Sequence, residues 1–343
     1  MIDLLVAGGG PAGLATAIRA AQAGLEAVVA EPRPAPVDKA CGEGLMPSAV
    51  RALGELGVSV PGRPFHGIRY LDAAGPGPGA AAEFRAGPGL GVRRTVLHAA
   101  LARRAEELGV RVLPVRVREF RQSRFTVTAA GLTCRHLVAA DGLHSATRHA
   151  LGLHRPPDPA IEPRYGLRRH YAVAPWSELV EVYWSARAEA YVTPLGAGLV
   201  GVAVLTCDRA PFEEQLGRFP ALAARLAGAA ACTAVRGAGP LRQGARARVR
   251  GRVLLVGDAA GYLDALTGEG VSVALASAEA LVRCVAAGRP EQYERAWRRA
   301  SRSYRLLTGT LLWARRQPLL APRIVPAAAG LPGVFRAGVN LLA

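Results

Sequence analysis

Two glycine-rich segments contain the residues whose types and spacing say most about chemistry. The first reads Gly8-Gly9-Gly10-Pro11-Ala12-Gly13, between a run at 2–7 that predicts a buried strand and a run at 14–23 that predicts a helix. In this context Gly8 permits a tight turn, Gly10 lets the backbone approach a pyrophosphate, and Gly13 lets the helix pack on the strand. The amino end of the helix would face the phosphate charge. The segment therefore predicts a dinucleotide site.

An acidic residue stands where such a site needs one. Glu31 follows a second predicted strand at 26–30 and lies 18 residues after Gly13. The acid that binds ribose hydroxyls is expected after roughly 20 residues. A second formal match to the glycine pattern, Gly196 to Gly201, is followed by the strand-like run 202–205 and not by a helix. This second match therefore predicts a hairpin turn.

The second glycine-rich segment combines an aspartate with a turn before a helix. It reads Gly257-Asp258-Ala259-Ala260-Gly261 and continues to Gly268-Glu269-Gly270, after which 271–287 is predicted to be helical. Asp258 closes a predicted strand at 252–257, where a carboxylate can accept hydrogen bonds from sugar hydroxyls. Capping of a helix is its alternative role. The amides of residues 268–270 and the positive helix end would stabilise nearby negative charge.

The composition is globular and rich in arginine. The 343 residues are 50% hydrophobic, the formal net charge is +17, and Lys39 is the only lysine among 43 basic residues. The arginines are spread along the chain without an RNA-binding motif or a zinc finger. We therefore predict no specific nucleic-acid partner, only non-specific adhesion to acidic surfaces at low salt. The five cysteines and seven histidines are scattered, so no metal site is predicted.

The sequence predicts neither a membrane-spanning nor a secreted protein. No apolar run reaches the roughly 18 residues that span a bilayer, and the first residues lack the basic region of a signal peptide. A cytoplasmic location is therefore expected. The arginine- and leucine-rich tail after Arg298 is expected to pack back on the nucleotide-binding part, with weak peripheral membrane association as the alternative.

The order of predicted elements indicates an α/β fold with a β-rich insertion. Besides the elements named above, we predict helices at 47–56 and 95–108, strands at 110–117, 125–128 and 137–140, an irregular loop at 37–44 and a surface connection at 75–91. The nucleotide-binding part is predicted at 1–155, with a piece of the substrate region near 60–92. It is followed by a β-rich substrate domain at 156–245, by a return to the nucleotide-binding part at 246–290 and by a C-terminal helical region at 291–343.

The predicted insertion is rich in aromatic residues. Its strand-like runs at 166–173, 178–184, 189–193 and 198–206 hold Tyr171, Tyr183, Trp184 and Tyr191. Residues two apart on a strand point to one face. Some of these four rings are therefore expected to line an apolar substrate pocket.

The motifs, in this order over nearly the whole chain, resemble those of the p-hydroxybenzoate hydroxylase-like FAD superfamily, which includes the geranylgeranyl reductases. The resemblance also rests on Arg94-x-x-Leu97-x-x-x-Leu101 and on Ala140-Asp141-Gly142-Leu143-His144-Ser145-Ala146-Thr147-Arg148. It implies FAD as cofactor, NADPH or NADH as a transient reductant, and a Rossmann-like FAD-binding domain of the GR2 type. The residues that it implies at the FAD are Gly8, Gly10, Pro11, Ala12, Gly13, Glu31, Pro32, Arg33, Cys41, Gly42, Arg94, Asp141, Gly257, Asp258, Gly268, Glu269, Gly270 and Val271.

Two of these assignments have alternatives. Arg93, beside Arg94, is the alternative cofactor contact, and a purely structural Asp-Gly turn is the alternative for Asp141. In the resemblance, the amides of residues 268–270 would face N1 and O2 of the reduced flavin.

The segment Asp38-Lys39-Ala40-Cys41-Gly42-Glu43-Gly44 resembles the cysteine loop of the geranylgeranyl reductase branch, which lies against the flavin. The resemblance makes Cys41 and Lys39 the candidates for chemistry in the pocket, with a buried, unreactive thiol as the alternative. In this chain the corresponding stretch reads Tyr191-Val192-Thr193-Pro194 and lacks the tryptophan and phenylalanine of the branch's Tyr-x-Trp-x-Phe-Pro pattern. This difference argues against prenyl-chain reduction. The Trp-x-Trp-x-Ile-Pro signature of flavin halogenases is absent, so halogenation is not expected.

Three functions follow from these features. The resemblance favours a single-component, FAD-dependent monooxygenase that uses NAD(P)H and O2 to hydroxylate an aromatic or polyketide-like small molecule through a flavin C4a-hydroperoxide. The Cys41 loop and the Gly268-Glu269-Gly270 turn support a flavin-dependent reductase of isoprenoid or other C=C bonds instead. A basic surface-binding protein with a vestigial flavin site is the third hypothesis.

Overall fold

The computed structural model describes residues 1–74 and 79–343. In chain order the strands are β1 (Ile2–Ala7), β2 (Ala27–Ala30), β3 (Gly44–Leu45), β4 (Arg63–Phe65), β5 (Gly67–Asp72), β6 (Ala80–Glu83), β7 (Gly89–Gly91), β8 (Arg111–Leu113), β9 (Phe120–Gln122), β10 (Val127–Ala129), β11 (Leu132–Ala139), β12 (His154–Arg155), β13 (Tyr165–Ala172), β14 (Val180–Trp184), β15 (Ala188–Gly196), β16 (Leu199–Thr206), β17 (Ala230–Ala231), β18 (Arg236–Ala238), β19 (Gly244–Ala245), β20 (Val249–Arg250) and β21 (Val253–Leu255).

The helices gather mainly at the two ends of the chain. They are α1 (Pro11–Gln22), α2 (Pro47–Glu55), α3 (Arg94–Glu107), α4 (Ala146–Ala150), α5 (Phe212–Leu216), α6 (Pro220–Leu226), α7 (Gly270–Ala286), α8 (Tyr293–Ala300), α9 (Arg302–Arg316), α10 (Ile324–Gly330) and α11 (Pro332–Leu342). Short 3-10 turns span Gly257–Ala260, Pro290–Gln292 and Ala321–Arg323. Helix α1 begins with a proline, whose fixed φ suits the first helical position.

The first sheet holds the glycine-rich turn. Its order is β20-β21-β11-β1-β2-β8, with β10 and β9 added beside β11. The pairs from β21 to β8 are parallel, and their central strands read as continuous apolar runs because helices α1, α3 and α7 cover the sheet. Residues from both ends of the chain therefore meet in one core, as the predicted return to this part of the fold requires.

The second sheet is mostly antiparallel and has the order β17-β13-β16-β15-β14-β5-β6, with β18 beside β13. Strands β15 and β16 pair through a tight connection at Gly196–Leu199, so the hairpin turn predicted there is present. The two strands β5 and β6 come from the first part of the chain, and β5 pairs with β14 in parallel. Helices α5 and α6 cover one face, and α9 and α10 pack near the other.

Two predicted elements differ from the structure. Residues 75–78 of the predicted surface connection at 75–91 lie outside the described residues, and the rest of it contains β6 and β7, which pair in sheets although glycine and alanine dominate their sequences. The predicted strand at 110–117 is shorter, because β8 at the edge of the first sheet ends at Leu113.

Candidate functional site

A cavity of about 1180 Å³ lies between the first sheet, the second sheet and the C-terminal helices. One end is lined by the first glycine-rich turn, and the other by apolar side chains of α9, α10 and α11. The residues implied at FAD that line it are Gly8, Gly10, Pro11, Ala12, Arg33, Cys41, Gly42, Arg94, Asp141, Asp258, Gly268, Gly270 and Val271. Those that do not line it are Gly13, Glu31, Pro32, Gly257 and Glu269.

The glycines of the first turn meet three different surroundings. Gly8 has a φ of +111°, and a Cβ there would lie 2.4 Å from the carbonyl oxygen of Ala140. A Cβ on Gly13 would lie 1.9 Å from the carbonyl oxygen of Gly8, so this glycine lets helix α1 pack on the turn. At Gly10 the nearest heavy atom to such a Cβ is Arg94 Nη2 at 4.0 Å. Only Gly10 therefore leaves open space toward the cavity, as a pyrophosphate contact requires.

The carboxylate of Glu31 is already engaged within the protein. Oε2 accepts a hydrogen bond from the amide of Gly9 at 2.9 Å and one from Arg33 Nη2 at 2.8 Å, and Oε1 accepts two more from Arg33. Burial opposes ionisation, but these bonds outweigh it and lower the pKa of Glu31 to about 2. The predicted ribose contact of Glu31 therefore requires the half-exposed Arg33 side chain to turn aside.

Three cationic side chains surround the end of the cavity near the first turn. Arg33, Lys39 and Arg94 line it together. Burial, followed by the charge of Arg33, lowers the pKa of Lys39, and burial lowers the pKa of Arg94. Arg94 Nη1 is buried and has no hydrogen-bond partner among the described residues. Arg93, the alternative contact, does not line the cavity. Arg33 is already paired with Glu31, so a bound pyrophosphate would mainly supply the negative charge that Lys39 and Arg94 lack among the described residues.

Two aspartates line the cavity beside these cations. Burial raises the pKa of Asp258, and the charges of Lys39 and Arg94 oppose that rise. Asp141 has one engaged and one unpaired carboxyl oxygen: Oδ2 accepts from the amide of Thr147 at 3.0 Å near the start of α4, while Oδ1 is buried without a partner among the described residues. Its unpaired oxygen could accept a hydrogen bond from a hydroxyl of a bound nucleotide.

Arg148 joins the segment of Asp141 to the segment of Asp258, a role that was not predicted from the sequence. Its fully buried guanidinium donates to the carbonyl oxygens of Leu143 at 2.9 Å and Ala259 at 3.1 Å, and to Gln243. Helix α4 thereby holds the turn that presents Asp258. Only its place at the end of the Asp-Gly motif marked it in the sequence.

The turn before α7 faces the cavity through Gly268, Gly270 and Val271. Gly268 has a φ of +73°, which favours glycine. Glu269 points elsewhere: it is 6% exposed, Oε2 has no partner among the described residues, and burial raises its pKa to about 8.

The loop that contains Cys41 forms another wall. Burial, followed by the charge of Glu43, raises the pKa of Cys41, and Sγ accepts from the amide of Glu43 at 3.4 Å. Glu43 also lines the cavity and is paired with His170 of β13, next to Arg168. Glu43, Arg168 and His170 were not singled out in the sequence, because the loop and β13 lie more than a hundred residues apart and no local pattern connects them.

The structure corrects the predicted aromatic pocket. Of the four rings, Tyr191 lines the cavity, and its hydroxyl donates to the carbonyl oxygen of Leu266 at 2.8 Å. Tyr171 and Tyr183 lie on the opposite face of the sheet, in the core under α5 and α6. The ring of Trp184 packs against that of Tyr70 at a centroid distance of 5.0 Å, with the ring planes tilted by 56°, and does not line the cavity. Neighbours on a strand point to opposite faces, so Tyr183 and Trp184 could not share one pocket.

Buried ion pairs hold α9 over the cavity. Arg164 donates to Glu189 at 2.7 Å and to Asp264 at 2.9 Å, and Arg315 of α9 also pairs with Glu189. These four side chains are at most 10% exposed. They link β15, the loop before α7 and the C-terminal helices.

The polar groups that line the site are of the kinds that bind FAD. Three features suit a dinucleotide. They are an open glycine at a helix N-terminus, the buried and unpaired atoms Arg94 Nη1 and Asp141 Oδ1, and a cluster of three cations. In the described residues no group of three or more histidine, cysteine or acidic side chains could hold a metal ion.

Across 1–74 and 79–343, no single helix is long and apolar enough to cross a membrane. The helical segments Ala321–Gly330 and Pro332–Leu342 would reach that length and composition only when taken together, and the chain bends by 101° between them.

The chain is similar to known proteins in sequence and in fold. The menaquinone reductase of Mycolicibacterium smegmatis (strain ATCC 700084 / mc(2)155) is 29% identical over 333 residues, which cover 86% of this chain and 79% of the relative. The flavin-dependent brominase Bmp2 has a similar fold, with a TM-score of 0.81 at 18% identity over 99% of this chain and 93% of that one. A mutant of the halogenase PltM in complex with FAD has a TM-score of 0.78 at 15% identity, over 92% of this chain and 77% of that one.

The family model described as FAD binding domain matches residues 1–197, which is more than half of the chain. With the site geometry above, this match identifies a flavoprotein of the oxidoreductase type. The chain belongs to the FAD binding domain family and, with it, to the p-hydroxybenzoate hydroxylase-like FAD superfamily.

Proposed function

We propose that this protein is an FAD-dependent reductase of a C=C bond in an apolar, prenylated substrate such as a prenyl quinone. The observation that carries the proposal is the continuity of the cavity: it runs from the residues suited to FAD to apolar side chains of the C-terminal helices, among them Leu311, Phe335 and Leu342. Such a space suits a long hydrocarbon chain. The relative named menaquinone reductase supports a substrate of this class.

In this proposal the protein's own residues bind, orient and protonate. Arg33, Lys39 and Arg94 hold the pyrophosphate, and Asp258 and Asp141 accept from sugar or ribityl hydroxyls. Bound FAD, once reduced, supplies the electron pair. Because burial raises the pKa of Cys41, its thiol keeps its proton at neutral pH, and we assign it the protonation of the substrate carbon. Lys39 then belongs to the cofactor and not to the proton transfer.

The reductant in this proposal is NADPH or NADH. The glycine-rich match at Gly196–Gly201 lies in the β15–β16 hairpin and not before a helix, so a second resident dinucleotide has no fingerprint in the described chain. A nicotinamide cofactor that binds transiently and leaves is consistent with this arrangement.

We further propose that the substrate enters from a lipid surface. Leu319, Leu331, Val334 and Leu341 are 77%, 58%, 68% and 55% exposed and form what we name the C-terminal apolar face. Residues 295–343 contain nine arginines and no acidic residue. An apolar face with surrounding positive charge suits the surface of an anionic bilayer. Leu331 and Val334 also line the cavity, so this face lies at its mouth.

Hydroxylation of an aromatic small molecule with O2 is the second candidate. The rings of Phe65, Tyr70 and Tyr191 line the cavity and would accommodate an aromatic ring. This feature suits the monooxygenase that the superfamily resemblance favours.

The two candidates differ in their need for oxygen. FAD-loaded protein is reduced anaerobically with NADPH, NADH or dithionite and mixed with menaquinone as the probe. We expect reoxidation of the flavin and a product that keeps two extra hydrogen atoms after air oxidation of its ring, which separates chain reduction from quinone-ring reduction. If reoxidation needs O2 and the product gains an oxygen atom from the gas, the second candidate replaces the first.

A further inference from the structure

Glu43 is a strained and buried acid in the wall of the cavity. Its φ is +60°, a conformation that non-glycine residues rarely adopt, and its side chain is 1% exposed. Oε1 accepts from the amide of Arg94 at 2.8 Å, and Oε2 lies 2.5 Å from Nε2 of His170. A positive φ at a non-glycine residue persists only where the surrounding structure fixes it, and such residues cluster at functional sites.

The surroundings of His170 fix its tautomer. Arg168 Nη1 donates to Nδ1 at 3.2 Å, so Nδ1 is an acceptor. Nε2 must then carry the hydrogen, and it donates to Glu43. The hydroxyl of Thr233 lies 3.0 Å from Nδ1 and, because that nitrogen is an acceptor, donates to it. The imidazole thus has a hydroxyl on one side and a carboxylate on the other.

Thr233 brings this chain of groups to the solvent. It lies in the turn between β17 and β18 and is half-buried, whereas the side chains of His170 and Glu43 are both 1% exposed. The charged groups around the chain are Arg168, 3.9 Å from Oε1 of Glu43, and Asp38, which pairs with Arg168 at 2.5 Å. Arginine does not release a proton at ordinary pH. A path for protons therefore runs only through Thr233, His170 and Glu43 among these groups.

We propose that Thr233, His170 and Glu43 form a proton relay from the solvent to the cavity wall beside Cys41. This inference rests on the proposed function and deepens it. Reduction of a C=C bond consumes two electrons and one proton from reduced FAD and one further proton, which Cys41 gives to the substrate. The Glu43 carboxylate takes the proton of His170 Nε2 and passes a proton to the thiolate, while Nδ1 takes a proton from Thr233, which water restores. A ring flip and proton exchange with water then return the imidazole to its starting tautomer, in which Nδ1 again accepts from Arg168.

The relay is testable without turnover. In flavin-free protein labelled with ¹⁵N-histidine, we expect the Nε2 proton of His170 to exchange with water about tenfold more slowly in Thr233→Val than in the wild type. Thr128→Val, at an exposed threonine of β10 in the other sheet, is the matched control and should leave the exchange unchanged. Unchanged exchange in Thr233→Val overturns the relay.

A second measurement separates a relay from a merely structural pair. In reduced, FAD-loaded protein mixed anaerobically with menaquinone, His170→Gln should slow flavin reoxidation about a hundredfold and change its solvent deuterium isotope effect, while reduction by dithionite stays at the wild-type rate. Slower reoxidation with an unchanged isotope effect and weakened FAD binding shows a structural role and overturns the relay. If menaquinone does not reoxidise the wild type, the proposed function fails, while the exchange measurement still decides the relay.

Discussion

Gly10 and Gly13 stand three residues apart, but a side chain would meet different obstacles at each. We expect Gly10→Val to fold with nearly the wild-type melting temperature and to lose most FAD affinity, because the added methyl groups enter open space that the pyrophosphate needs. Gly13→Val should be destabilised by several kcal/mol, because its Cβ overlaps the Gly8 carbonyl oxygen. Thermal unfolding of the flavin-free proteins and FAD titration measure the two effects. Wild-type FAD affinity in Gly10→Val would contradict the placement of the pyrophosphate.

Glu269 and Glu31 should shape the pH dependence of stability in opposite ways. The pKa of Glu269 is about 8 in the fold against 4.5 unfolded, so its protonated form favours folding at low pH, and this contribution is lost as the pH rises from about 4.5 to about 8. The pKa of Glu31 is about 2, so its contribution is present above 4.5 and is lost as the pH falls toward 2. Urea unfolding of flavin-free Glu269→Gln should therefore lack the loss of stability between about pH 4.5 and about 8. An unaltered slope of stability against pH in this window would show that Glu269 is not buried as described.

At the scale of elements, Arg148 joins the segment around α4 to the turn that presents Asp258. We expect Arg148→Lys to lower FAD affinity about tenfold and stability by about 2 kcal/mol, because a single ammonium cannot reach all four acceptors of the guanidinium. Isothermal titration and urea unfolding test this. Arg135→Lys, at an exposed arginine of β11, is the control and should change neither quantity.

The elements that carry the site were partly predictable from sequence. The strand-turn-helix unit around Gly8–Gly13 could be predicted, because the glycine spacing, the apolar run and the acid at Glu31 are all local features of the sequence. The face of the second sheet on which Tyr171 and Tyr183 lie could not be predicted. Both faces of this sheet are buried, and apolar residues on a strand do not reveal which of the two layers they contact. The pairing of Glu43 with His170 was also hidden, because it depends on how the second sheet docks against the loop.

For the whole molecule, the proposed entry of the substrate from a lipid surface can be tested through the charge and the exposed apolar side chains of the C-terminal helices. We expect co-sedimentation with anionic vesicles that weakens as salt rises, because screening removes the attraction of the exposed arginines. The double variant Leu319→Asp/Leu341→Asp should reduce this binding at least tenfold, because it removes exposed apolar area that a bilayer would bury and adds repulsion from the anionic lipids.

A control substitution for vesicle binding can be placed beside the first sheet. Phe125 is 64% exposed but lies between β9 and β10, away from the C-terminal helices. Phe125→Asp should bind the vesicles as the wild type does. Equal loss in both variants, or none in either, would show that the C-terminal apolar face does not contact lipid.

The parallel pairing of β5 with β14 also constrains how the protein is made. Strand β5 ends at Asp72, whereas β14 begins only at Val180, so at ribosomal speeds the β5–β6 hairpin waits on the order of ten seconds for its partner. During that interval its edge has open amide and carbonyl groups that can pair with another nascent chain. Production of soluble protein should therefore depend on chaperone supply and translation rate, and fragments that stop before β14 should aggregate.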